Sequence, residues 1–188
     1  KTKALEASIT DIESGYAPVD GTESIDGSTY KTKFLDKVEV VQNTRTLKKY
    51  FDLTSAFAEA QDQDTLKMIN NFTTISTDEP IEINDELTLD LNGFEVDKSI
   101  EHLFINNGIL NIVDNSNGKT GLMYASSGTS IIHNYGELNI NGSKLQSKNT
   151  SKLIINETTG IVNITNNSKL FSETSTTLID NYGEFNIE

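Results

Sequence analysis

Four glycines, Gly108, Gly136, Gly160 and Gly183, are each followed by the order variable, apolar, Asn, Ile. The apolar pairs are Leu110 and Ile112, Leu138 and Ile140, Val162 and Ile164, and Phe185 and Ile187. Alternation with period two places each pair on one face of a strand and Asn111, Asn139, Asn163 and Asn186 on the other. Before each glycine an apolar pair leads into a second asparagine: Asn106, Asn134, Asn156 or Asn181. A third apolar stretch follows later, as in Leu122-Met-Tyr124, Leu145 and Leu170-Phe171. Gly108 and Gly183 are separated by three intervals of 25 residues on average.

Three short strands and three turns in one repeat describe one rung of a three-sided coil. A single rung cannot bury its inner side chains, whereas stacked rungs share a core and complete each other's backbone hydrogen bonds. The pattern therefore predicts an all-β chain, a parallel β-helix with about 25 residues per rung. Gly and Asn are expected at the corners because they tolerate positive φ. Asn106, Asn134, Asn156 and Asn181, with the four glycines, are expected to form a structural ladder from rung to rung. Calcium-binding nonapeptide and hexapeptide coils have shorter periods, and the β-branched residues argue against helical repeats.

Ile81-Glu-Ile83 and the alternating run Leu87 to Val96 place the first full rungs at about residue 81. Upstream, Leu53 to about Gln63 is rich in helix formers, with Thr54 or Ser55 able to cap its start and Phe57 and Ala60 on one face. An open coil end exposes apolar core and unpaired backbone, so this helix, within residues 51–64, is expected to lie across it. Residues 1–50 read as a lead-in or linker segment, with Gly15, Gly21 and Gly27 as irregular turns and one strand over Lys37–Val41. Residues 51–188 form the capped coil, which is expected to continue past Glu188.

Charge and composition narrow the function. The net charge is −13 and Arg45 is the only arginine, which argues against a nucleic-acid partner and against docking on an anionic bilayer. With no cysteine there are neither disulfides nor thiolate metal sites. No apolar run is long enough for membrane insertion as a helix.

Candidate chemistry is sparse. Asp90 and Asp114 are the acids to consider for hydrolysis, which needs paired carboxylates, but each reads more simply as a strand or turn residue. Asp114-Asn-Ser-Asn-Gly118 has only a faint likeness to a calcium loop and lacks its acidic spacing, so turn chemistry is expected there. His102 and His133 are the only histidines, and His133 occupies a slot filled elsewhere by Ile105, Ile155 and Asp180, which suggests an outward position. No catalytic residue, metal site or cofactor is assigned. The binding candidates are Asn111, Asn139 and Asn163 with Tyr135 and Tyr182, since amides beside aromatic rings suit sugar hydroxyls and faces. The competing reading is that Asn caps turns and Tyr packs at corners.

The run Ser55-Ala-Phe-Ala-Glu-Ala60, then Asp64-Thr-Leu-Lys-Met-Ile69, then Leu87-Thr-Leu-Asp-Leu-Asn-Gly93, then the Asn-x-Gly-x-Leu-Asn-Ile copies resembles pectate-lyase-like parallel β-helices. The nearest type is the repeat regions of bacterial surface adhesins. The resemblance covers about residues 51–188. It implies a right-handed coil, secretion to the bacterial cell surface or wall, and a role in adhesion or glycan contact; a host or cell-surface glycan or protein is the expected partner, and the chain is expected to be a monomer. The expected function is thus a non-enzymatic surface module for adhesion or display. The alternatives are a fragment of a polysaccharide lyase or glycoside hydrolase whose catalytic rungs lie elsewhere, and a passive spacer.

Overall fold

The computed structural model describes residues 16–25, 28–74, 78–149, 152–174 and 177–188. Tyr16–Ile25 (β1) and Ser28–Lys37 (β2) pair as an antiparallel hairpin. Gly15 and Gly27 lie outside the described residues. Val41–Asn43 (β3) and Lys49–Tyr50 (β4) lead into one helix, Leu53–Glu59 (α1). The strand expected over Lys37–Val41 is therefore displaced: Lys37 closes β2, and the next strand begins only at Val41.

The coil starts with Thr65–Met68 (β5) and Phe72–Thr73 (β6). It continues through Ile81–Ile83 (β7), Glu86–Asp90 (β8) and Glu95–Lys98 (β9). Next come Phe104–Asn106 (β10), Ile109–Val113 (β11) and Leu122–Ala125 (β12), then Ser130–Asn134 (β13), Glu137–Asn141 (β14) and Lys144–Ser147 (β15). Lys152–Asn156 (β16), Ile161–Thr165 (β17), Lys169–Ser172 (β18), Ile179–Asn181 (β19) and Glu184–Ile187 (β20) complete it.

These strands stack into three sheets. The first holds β7, β10, β13, β16 and β19, and the third holds β6, β9, β12, β15 and β18. The second and largest runs from β4 and β3 through β5, β8, β11, β14 and β17 to β20. From β5 onward all pairing within the coil is parallel, as in a parallel β-helix of about five turns. Leu66, Leu89, Ile112, Ile140, Ile164 and Ile187 form one register column, with about 24 residues per turn. The first rung thus begins at Thr65, earlier than the alternation at 81 suggested. Its strands are too short to display a period by themselves.

The core consists of such columns. Leu87, Leu110, Leu138 and Val162 are buried on one side, Val96, Met123 and Leu145 on another, and Ile81, Phe104, Ile132 and Ile154 on the third. Each fully buried Leu or Ile contributes about 1.5–3 kcal/mol of transfer free energy, and the columns repeat that contribution in every rung.

The corner glycines correct the sequence reading. None of Gly108, Gly136, Gly160 and Gly183 has positive φ; left-handed backbone occurs instead at Asn92, Gly93, Gly128 and Gly142, among others. Glycine is required at 136 for space, because a Cβ there would lie 2.1 Å from the carbonyl oxygen of Gly108. The same close approach to an earlier rung's carbonyl recurs at Gly108 and Gly183, while at Gly160 the nearest atom is Asn156 Oδ1.

The N-terminal end is closed by two devices. Helix α1 buries Leu53, Ala56 and Phe57, the i, i+3, i+4 face of an amphipathic helix. Phe57 meets Phe104 edge to face with ring centroids 5.1 Å apart. The N-cap is Asp52, whose carboxylate accepts from Ser55 N at 2.6 Å, and the helix stops at Glu59; both differ from the expected Thr54 or Ser55 cap and Gln63 end. In addition, β3 pairs antiparallel with β5 and β4 with β3, so the first parallel strand has no free edge on that side.

Candidate functional site

Outward side chains of the second sheet form three parallel columns. The middle column reads Thr88, Asn111, Asn139, Asn163 and Asn186. On one side run Glu86, Ile109, Glu137, Ile161 and Glu184; on the other run Asp90, Val113, Asn141 and Thr165. A shallow groove of about 400 Å³ lies along this face, floored by Thr88, Asn111, Asn139 and Asn163 and flanked by Val113, Asn141 and Thr165.

The asparagines of the middle column bond one another. Asn139 Nδ2 donates to Asn111 Oδ1 at 2.9 Å, Asn163 to Asn139 at 2.8 Å and Asn186 to Asn163 at 2.9 Å. An amide has two N–H groups and two acceptor lone pairs, so one ladder step leaves half of them for another partner. Glutamates take the remaining N–H groups, Glu137 Oε1 accepting from Asn139 at 3.1 Å and Asn163 at 3.4 Å and Glu184 Oε1 from Asn186 at 3.0 Å, so the spare capacity is that of the amide oxygens.

A second amide ladder lies inside the coil. Asn106 Nδ2 donates to Asn134 Oδ1, Asn134 to Asn156 and Asn156 to Asn181, each at 2.7 Å. Its donors point toward later rungs, whereas those of the outer ladder point toward earlier ones. Asn106, Asn134 and Asn156 are fully buried, and Asn134 and Asn156 also donate to the carbonyls of Gly136 and Gly160. Asn106 Oδ1 is buried without a donor because the preceding position in its column is Ile83. Asn181 lies in the exposed last rung.

The structure brings Asn111, Asn139 and Asn163 into one groove and leaves Tyr135 and Tyr182 outside it. The tyrosines occupy the corner between the first and second sheets, two rungs apart, 40% and 64% exposed. Tyr135 stacks on His133 with centroids 4.7 Å apart. His133 does lie in the outward column of Ile105, Ile155 and Asp180.

Asp90 and Asp114 serve the loop between the second and third sheets. Asp90 Oδ1 accepts from Asn92 N and Asn115 N, both at 3.0 Å. Asp114, fully buried, accepts from Gly93 N at 3.0 Å, Ser116 N at 3.1 Å and Gly121 N at 2.7 Å. Burial pushes its pKa up, but the hydrogen bonds from Ser116, Gly121 and Gly93 outweigh burial and hold the carboxyl below its usual value. These oxygens are committed to backbone amides, which is turn chemistry. Among the described residues no group of three or more His, Asp or Glu is arranged to hold a metal ion. No helix among them is long and apolar enough to cross a membrane.

Among the buried polar residues that escaped the sequence reading, Lys98 and Asp64 carry charge. Lys98 lies on the inner side of β9 with no exposure, its Nζ donating to Ser127 O at 2.6 Å. Burial lowers its pKa to about 8, against the opposing pull of Glu101 and Asp97. Asp64, 2% exposed, accepts from Arg45 Nε at 2.5 Å, Arg45 Nη2 at 2.9 Å and Asn43 Nδ2 at 2.7 Å. Neither position breaks the sequence pattern in a way that announces burial.

Comparisons with protein families, curated proteins and solved structures give no match. The parallel β-helix stands on the strand pairing itself, and the pectate-lyase-like, adhesin-type resemblance has no support from a relative.

Proposed function

We propose that this chain is a non-enzymatic module of a bacterial cell-surface or secreted protein, a stiff solenoid that displays or contacts a partner outside the cell. The observation that carries the reading is the amide-floored groove on the second sheet. Its asparagines repeat at the strand spacing of about 4.8 Å, so the same amide acceptor recurs along the coil axis, beside the glutamates that hold the amide donors. A linear glycan lying along that axis would meet amide oxygens at successive hydroxyls, with Val113 and the neighbouring isoleucines offering apolar contact. Glu137, Glu86 and Glu184 beside the groove favour an uncharged or amine-bearing sugar over a uronate.

A spacer without ligand is the second reading, favoured by the bonds that the asparagines already make to one another. Titration of the protein with neutral, amine-bearing and uronate oligosaccharides separates the possibilities. Binding that falls at least about tenfold in Asn139→Ala, with the circular dichroism spectrum unchanged, supports the groove; a tenfold change is about 1.4 kcal/mol. Absence of binding to every glycan leaves the spacer, and cleavage of any polymer overturns the non-enzymatic reading.

A further inference from the structure

The outer side of the first sheet carries the chain's two histidines on successive rungs. His102 lies in the segment between β9 and β10, with its side chain 12% exposed, and His133 lies on β13, 19% exposed. Their ring centroids are 5.0 Å apart, and the Tyr135 ring lies 4.7 Å from that of His133. His102 Nδ1 is 2.8 Å from Ser130 Oγ, and His133 Nε2 is 2.8 Å from Glu157 Oε1.

The strands behind the rings meet at a tight corner. Thr129 N and Ser130 N both donate to Glu101 O, at 2.9 and 3.1 Å, and Leu103 N donates to Ile131 O at 3.0 Å. Gly128 has φ +81, and a Cβ there would be 1.9 Å from Ile100 O. The corner thus has no slack to absorb a repulsion between the rungs.

We propose that His102 and His133 form an acid-sensitive joint between these two rungs, closed while the rings are neutral and loosened when both are charged. Charged groups around the pair decide the balance. His133 has Glu157 as a hydrogen-bond partner on the following rung. His102 has exposed Glu101, 3.9 Å from Nε2, as its carboxylate neighbour, and the buried amine of Lys98 on β9 adds a like charge. Ile105 and Ile155 are neutral neighbours of His133 in its column, and Glu82 and Asp180 stand two strand spacings away, about 10 Å. Burial, then His133 and Lys98, lower the His102 pKa from its ordinary value, against Glu101. Protonation is therefore more favourable in the open corner than in the closed one, and acid shifts the corner toward opening.

The test is amide hydrogen exchange at Leu103, Thr129 and Ser130 at about pH 7.5 and about pH 5, corrected for intrinsic rates, with imidazole titration by NMR. The joint predicts exchange about tenfold faster in acid at these amides. It also predicts no comparable change at Leu153, the corresponding corner two rungs on, whose amide donates to Leu178 O and which has no histidine. In His133→Gln the acceleration should vanish and the His102 midpoint should rise. His102→Gln is a second route to the same loss should the first variant fold poorly. Equal acceleration at Leu153, acceleration surviving in either variant, or no acceleration in the parent chain would overturn the joint.

Discussion

At the scale of single residues, the large charged groups inside the coil each have a defined partner, as Lys98 has Ser127 O and Asp64 has Arg45. Lys98 is the least comfortable of them. Its folded pKa, about 8, lies below the unfolded value of 10.5, so between those limits the unfolded chain binds more protons than the fold. Stability should therefore rise as pH is raised from about 8 to 10.5 and fall on the way back to neutrality. Lys98→Met, which keeps the length of the side chain, should gain about 1–2 kcal/mol near pH 7, after the loss of the bond to Ser127 O, and should lack that rise. Urea unfolding of both chains at neutral and alkaline pH would check it; an identical pH profile in the variant would show that another group is responsible. Asp64 behaves oppositely. Arg45 beside it, then the bonds from Gln61 N and Asn43, hold its carboxyl well below the usual carboxylate range despite burial. Its stabilisation is present above the unfolded value of 3.8 and is lost as pH falls below it. Asp64→Asn should cost about 1.5–3 kcal/mol at neutral pH, measured by denaturant unfolding, and should flatten the acid limb of the stability curve.

At the scale of elements, what was legible in the sequence follows from repetition. The strands from Ile81 to Ile187 could be placed because the same apolar positions return in every rung, and Leu110, Leu138 and Val162 fall in one column as their spacing implied. The cap was legible only in part. Phe57 on one face of a helix is visible in the chain, but Val41–Asn43 and Lys49–Tyr50 are too short to carry a period, and their pairing depends on β5 beyond the helix. The corner glycines were assigned to the right places for the wrong reason, because a close approach to another rung leaves no mark in local sequence. The outer asparagines were correctly placed on one face; that Tyr135 stands apart from them depends on where the corner turns. The helix gives a further test. Phe57→Ala removes the ring that rests on Phe104, and should cost about 3–5 kcal/mol. If the helix is a plug, the variant should also bind a hydrophobic dye and self-associate at the exposed end. A stability loss without either sign would make Phe57 an ordinary core residue.

At the scale of the whole molecule, a solenoid has no long-range core to lose, only a succession of interfaces between neighbouring rungs. The last rung shows what one such interface covers. Ile164 is 7% exposed beneath Ile187, its successor in the same column. Removing residues 166–188 should therefore uncover Ile164 and its rung and leave the remaining rungs folded. The shortened chain should retain a β-type circular dichroism spectrum. Its urea m-value should fall roughly in proportion to the surface no longer buried, since m follows the area exposed on unfolding. A globular domain cut through its core would instead unfold altogether. Loss of the β spectrum in the shortened chain would mean that the rungs fold as one inseparable unit. Retention with a smaller m-value would show that stability is distributed along the axis, so that a local event such as opening of the corner at His102 need not unfold the groove beside it.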